Sequence, residues 1–217
     1  MEIAVIGWGS LLWCPGSLLI KTRWNRDGPE LQIEFARISS DGRLTLVLHP
    51  NPTATAQKTY WASSQFADIE QARENLRLRE GRCGLKEIHA CAIAEEGNRL
   101  HWSADEIPTE VKTKIGAWLS SKKEVVQAAV WTGLRTNWEE KRGRTFTTDD
   151  AVSYLTELRR HAADAKVVID RAEEYLRNAP DQLQTEVRDR MRAVGWRDNP
   201  LPDILYEARP SNQGKST

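Results

Sequence analysis

An α+β fold is expected for this chain, with a helical extension at its C-terminal side. Three observations carry that expectation. Short apolar runs alternate with helical patterns over about residues 1–135. Turn signals such as Asp41-Gly42 and Pro50-Asn51-Pro52 punctuate those runs. Beyond them the periodicity becomes purely helical. The expected divisions are an α+β core over 1–135, helices over 146–196 packed back on it, and a loose tail over 199–217.

The elements follow in order. Met1–Gly7 reads as a strand. Leu31–Ile38 and Arg43–His49 read as a hairpin, because Asp-Gly between two apolar runs is a strong turn signal. Lys58–Ala62 is a short strand. Gln65–Arg79 is helical, with Phe66, Ile69, Ala72 and Leu76 on one side, and Gly81 and Gly84 mark its exit. Leu85–Ala94 is a strand, Pro108–Leu119 a helix opened by proline, and Val125–Trp131 another strand closed by Gly133. Asn137–Arg144 is charged and carries no assigned element. Thr147–Asp150 looks like a helix start. Three apolar stripes then succeed one another: Val152, Leu155 and Leu158; Ala165, Val168, Ala172 and Tyr175; and, after Pro180, Leu183, Val187 and Met191.

Composition narrows the function classes. Lys+Arg and Asp+Glu both number 31 in 217 residues, so the formal net charge is zero. That balance argues against broad electrostatic capture of nucleic acid or an anionic membrane. No apolar stretch approaches the roughly 20 residues of a membrane span, and the N-terminal residues lack a basic n-region. Cys14, Cys83 and Cys91 are irregularly spaced, which suits reduced thiols in a cytoplasmic protein. His89, Cys91, Cys83 and His101 include no C-x-x-C or H-x-x-x-H, so no metal is assigned, and no cofactor motif is found. The oligomeric state is left open.

Two stretches carry candidate chemistry. Gly7-Trp8-Gly9-Ser10-Leu11 follows the first strand directly. Leu12 stands where a dinucleotide-binding loop has its third glycine, and the P-loop and nucleophile-elbow patterns both fail. A Gly-Ser turn with free N–H groups remains, able to hold an anion or a carbonyl oxygen. Taken alone, a structural turn is the plainer reading. The second stretch is Leu76 to Gly81, where Glu80 stands at a helix exit. A partly buried carboxylate there would have a raised pKa and could shuttle protons. Its plainer reading is a solvated glutamate beside Arg77, Arg79 and Arg82.

Together the two stretches resemble the γ-glutamylcyclotransferase family, including its ChaC-type branch. Gly7-x-Gly9-Ser10-Leu11-x-Trp13 is similar to the branch's opening loop, and Leu76-Arg-Leu-Arg-Glu80-Gly81 to the context of its catalytic glutamate, about 70 residues later. The hairpin around Asp41-Gly42 is also similar. The resemblance covers about residues 1–135 and leaves out the C-terminal helices. It implies a small mixed β-barrel or sheet with flanking helices. It implies a cofactor-free reaction in which a γ-glutamyl compound closes to 5-oxoproline and releases an amine or amino acid. Glu80 would be catalytic, and Trp8, Gly9, Ser10 and Leu11 would bind substrate. Trp8 departs from the usual tyrosine, which puts the pocket's shape in doubt. The alternative is a non-catalytic binding or regulatory protein on the same scaffold.

Overall fold

The computed structural model describes residues 1–49, 51, 54–81, 83–94, 99–160 and 166–196, without the side chains of 166–169. The first strand, β1 (Ile3–Gly7), is buried on both faces, which explains its unbroken apolar sequence. Ile3 and Val5 belong to one apolar cluster, Ala4 and Ile6 to another, as a period of two requires. Burial of each isoleucine stabilises the fold by about 1.5–3 kcal/mol.

The hairpin of β2 (Glu30–Ile38) and β3 (Leu44–Leu48) forms where Asp-Gly predicts it. The single strand expected over Lys58–Ala62 is instead two, β4 (Ala56–Lys58) and β5 (Tyr60–Ser63). Thr59 divides them. Its N–H and hydroxyl both donate to the Pro29 carbonyl, at 3.2 and 2.6 Å, and Gly28 N–H donates to its carbonyl. β4 then pairs with β2, while β5 pairs with β1 in another sheet. The next helix, α1 (Ile69–Glu80), starts later than its apolar pattern, because the Asp68 side chain accepts from Gln71 N–H and caps it there. It stops before Gly81.

A short 3₁₀ turn at Leu85–Glu87 precedes β6 (Ile88–Ile93), which begins three residues after the expected start. β7 (Leu100–Trp102) has no counterpart among the expected elements. α2 (Thr109–Ser121) follows Pro108, and β8 (Ala128–Thr132) ends beside Gly133. The unassigned charged stretch holds a short helix, α3 (Trp138–Arg142), anchored by the fully buried Trp138. α4 (Thr148–Arg160), α5 (Lys166–Asn178) and α6 (Glu186–Ala193) complete the described residues. Thr147 caps α4 by accepting from Asp150 N–H. Ala165 and the expected tail over 199–217 lie outside the described residues, as does the side chain of Val168.

The strands form two open sheets and, among the described residues, no closed barrel. One sheet has the order β5-β1-β8-β6-β7, with β1 and β8 parallel; the other has the order β3-β2-β4. α1 covers one face of the larger sheet, where Ala72 and Leu76 meet Ile3, Val5, Ile88 and Val130. On its other face, Ile6, Ala129 and Trp131 share a cluster with the hairpin and with Leu155, Ala172, Leu176, Val187 and Met191. The C-terminal helices therefore close the core over β2 and β3. Arg188 pins the link between α5 and α6. Its buried guanidinium donates to the carbonyls of Ala179, Pro180 and Leu183 at 2.7–2.9 Å. Burial lowers its pKa to about 10.

Candidate functional site

The loop after β1 owes its shape to two glycines with different tasks. A side chain at Gly7 would meet the Trp24 ring at 2.8 Å, so this glycine serves packing. Gly9 has φ +65°, and a Cβ there would stand 2.8 Å from the Tyr175 hydroxyl. Gly9–Leu11 forms a single 3₁₀ turn, and Ser10 N–H donates to that hydroxyl at 3.4 Å.

α1 holds the loop in place. Asn75 accepts from Leu19 N–H and donates to the Ser17 carbonyl. Four residues on, Arg79 lies on the same helix face. Its Nη2 donates to Ser10 Oγ at 2.9 Å and to the Cys14 carbonyl at 2.7 Å, and its Nη1 lies 3.4 Å from Glu80 Oε1. One guanidinium thus joins the glycine turn to the helix exit.

The solvated reading of Glu80 does not describe its environment. Its side chain is 17% exposed. Arg77, expected beside it, pairs with Glu74 instead. Burial raises the pKa of Glu80, while the Arg79 charge and the Thr132 hydroxyl draw it partway back. Thr132 Oγ1 is buried and makes no hydrogen bond of full geometry among the described residues, so it acts there as a polar neighbour.

Glu80, Trp8, Ser10 and Leu11 all line one cavity of about 640 Å³. Trp8 forms a wall and does not fill the space: its indole N–H is tied to the Leu46 carbonyl at 3.2 Å. Gly9 shapes the turn from behind. The hairpin contributes Arg37 and Arg43, and α3 contributes Glu140 and Lys141. Sequence reasoning missed these cations, because only the folded hairpin and the short α3 bring them to the same mouth. It also missed Arg79, and it read Tyr175 solely as part of an apolar stripe. Trp13 stands behind the site, edge-on to Tyr175 at 5.2 Å.

A second cavity of about 540 Å³, with His89, Glu87 and Glu106, shares Arg37, Leu134, Asn137 and Glu140 with the first. His89 is buried and its pKa is lowered, chiefly by desolvation and then by Arg135. Cys91 is buried, its thiol pushed up to about 12 by desolvation. Among the described residues no three His, Cys, Asp or Glu side chains are grouped so as to hold a metal ion. No helix among them is long and apolar enough to cross a membrane. Comparison of the chain with protein-family models, with curated proteins and with solved structures found no match.

Proposed function

We propose that this chain is a γ-glutamyl cyclotransferase-type enzyme, converting a γ-glutamyl compound to 5-oxoproline and a free amine or amino acid. One observation carries the reading: Arg79 bridges Ser10 and Glu80 on the wall of a shared cavity. The two motifs behind the family resemblance are distant in sequence and meet through that side chain.

The reaction needs a base, an acid and donors for developing negative charge. The substrate's α-amine attacks its own γ-carbonyl carbon, so proximity is built into the molecule. The new N–C bond forms as the carbonyl electrons move to oxygen. When they return, the bond to the leaving nitrogen breaks. The α-ammonium gives up one proton to become the attacking amine and a second as it becomes the ring N–H. Glu80 takes each in turn and passes it to the leaving nitrogen, which departs as an ammonium. A carboxylate with a raised pKa suits both steps. The turn offers donors through Ser10 and Leu11, which line the cavity, and Arg37, Arg43 and Lys141 on the same lining give it a surplus of positive charge for the substrate's carboxylate. The chemistry calls for no metal and no organic cofactor.

The test is release of 5-oxoproline from a panel of γ-glutamyl amines, γ-glutamyl amino acids and glutathione. Wild type is expected to turn over at least one, and Glu80→Gln to lower kcat by about 10²-fold or more with an unchanged fold. An inactive wild type across the panel would favour a binding or regulatory role. Equal rates for the two proteins would remove Glu80 from the chemistry.

A further inference from the structure

Tyr175 stands far outside the two motifs, on α5, yet its hydroxyl reaches the centre of the glycine turn. The approach depends on Gly9, since any Cβ at that position would lie 2.8 Å from the hydroxyl oxygen. Ser10 N–H donates to the same oxygen at 3.4 Å. The ring is fixed on several sides: Trp13 meets it edge-on at 5.2 Å, Phe35 at 6.1 Å, and the Arg43 guanidinium lies over it at 5.3 Å from the centroid. Tyr175 is 7% exposed and lines the same cavity as Glu80. A polar atom at the end of a rigid, buried side chain that lines a cavity is well suited to hold a ligand atom in one place.

We infer that the Tyr175 hydroxyl is a catalytic hydrogen-bond donor, directed at the substrate's γ-carbonyl oxygen as that oxygen becomes negative. The inference rests on the cyclotransferase reading. It revises one part of it: the Ser10 N–H acts through Tyr175 and does not touch the substrate. Ser10 donates to the phenol oxygen, and the phenol donates its own proton onward. A donor that is itself hydrogen-bonded in this way is polarised and strengthened. When the α-amine closes on the γ-carbon, the displaced electron pair settles on the oxygen facing Tyr175. No proton leaves the tyrosine. Desolvation raises the phenol pKa above its ordinary 10, the Ser10 contacts pull it back, and Glu80 adds to the rise, so the group is a protonated donor at neutral pH.

The arrangement also gives the C-terminal helices a part in the site. β1 and α1 supply the turn and the carboxylate, and α5 supplies a donor 165 positions from Ser10.

The test compares wild type, Glu80→Gln and Tyr175→Phe in the 5-oxoproline assay, with thermal melts of all three. Phenylalanine keeps the ring and its packing and removes only the hydroxyl. Tyr175→Phe is expected to lower kcat about 10²-fold, the usual scale for one lost oxyanion donor, while KM changes little and the melt stays close to wild type. A structural role would move the melt and leave the kcat of folded protein intact. Wild-type kcat in Tyr175→Phe would overturn the inference while Glu80→Gln still reports on the cyclotransferase reading. A higher kcat would also overturn it and make Tyr175 a plug over the turn. A wild type inactive on the whole panel would overturn both.

Discussion

The junction of β2 with α6 and the exit of α1 each bury a carboxylate and a guanidinium, with opposite results. At the first, Glu34 is 3% exposed. Its Oε1 accepts from Phe35 N–H at 2.7 Å and its Oε2 from Val187 N–H at 3.2 Å, at the first turn of α6. Nearby, Arg188 donates from Nη1 and Nη2 to three backbone carbonyls. Glu34 also meets the Thr185 hydroxyl, and neither Glu34 nor Arg188 lines either of the two cavities above. At the second, Glu80 has one long contact to Arg79 and an open face on the cavity. Burial raises both carboxyl pKa values. Burial alone therefore does not mark a site; spare hydrogen-bonding capacity beside a cavity does.

Mutations at the two regions should separate them. The largest effect is expected at Arg188. Arg188→Met leaves three buried carbonyls without their donor, and at about 1–3 kcal/mol for an unsatisfied group the loss should reach at least about 3 kcal/mol. For a chain of this size that is a fall in Tm of about 6–12 °C, read by calorimetry. Activity per folded molecule should not change.

Glu34→Gln and Glu80→Gln form the sharper pair, because the same substitution should have different signs. At Glu34 burial likewise raises the pKa, but the new NH₂ faces a backbone N–H that needs an acceptor, and that loss, about 1–3 kcal/mol, is expected to outweigh the relief of the buried charge. At Glu80 no backbone N–H depends on the carboxylate among the described residues. Its folded pKa is raised, so the folded protein holds a proton that the unfolded chain has released. Stability then falls as pH rises from the ordinary 4.5 through the folded value, and at neutral pH the ionised Glu80 is a burden. Glu80→Gln should melt at or above wild type at pH 7. A lower Tm for Glu80→Gln than for Glu34→Gln would break the distinction.

Local signals carried much of the fold. Asp41-Gly42, the apolar stripe of α1 and the Thr147 cap all act over a few residues, and each marked a real element, although α1 begins at Ile69, inside its apolar pattern, where Asp68 caps it. The division at Thr59 was not legible, because it depends on Pro29 and Gly28 reaching across from another part of the chain. β7 and α3 are too short for periodicity to declare them. The same limit applies to the site. Glu80 and the glycine turn had motifs; Arg79 looked like one more solvated arginine, and the apolar spacing that placed Tyr175 in the core said nothing of where its hydroxyl would go.

The central claim is that Glu80, unlike Glu34, is a titratable group open to a ligand. Carbon-13 NMR titration of glutamate-labelled protein tests it, with Glu80→Gln and Glu34→Gln assigning the two resonances. The expected result is a Glu80 carboxyl titrating above 4.5 and displaced when 5-oxoproline is added, while the Glu34 resonance is unmoved by it. A Glu80 resonance at or below the ordinary value, or indifferent to 5-oxoproline, would contradict the claim.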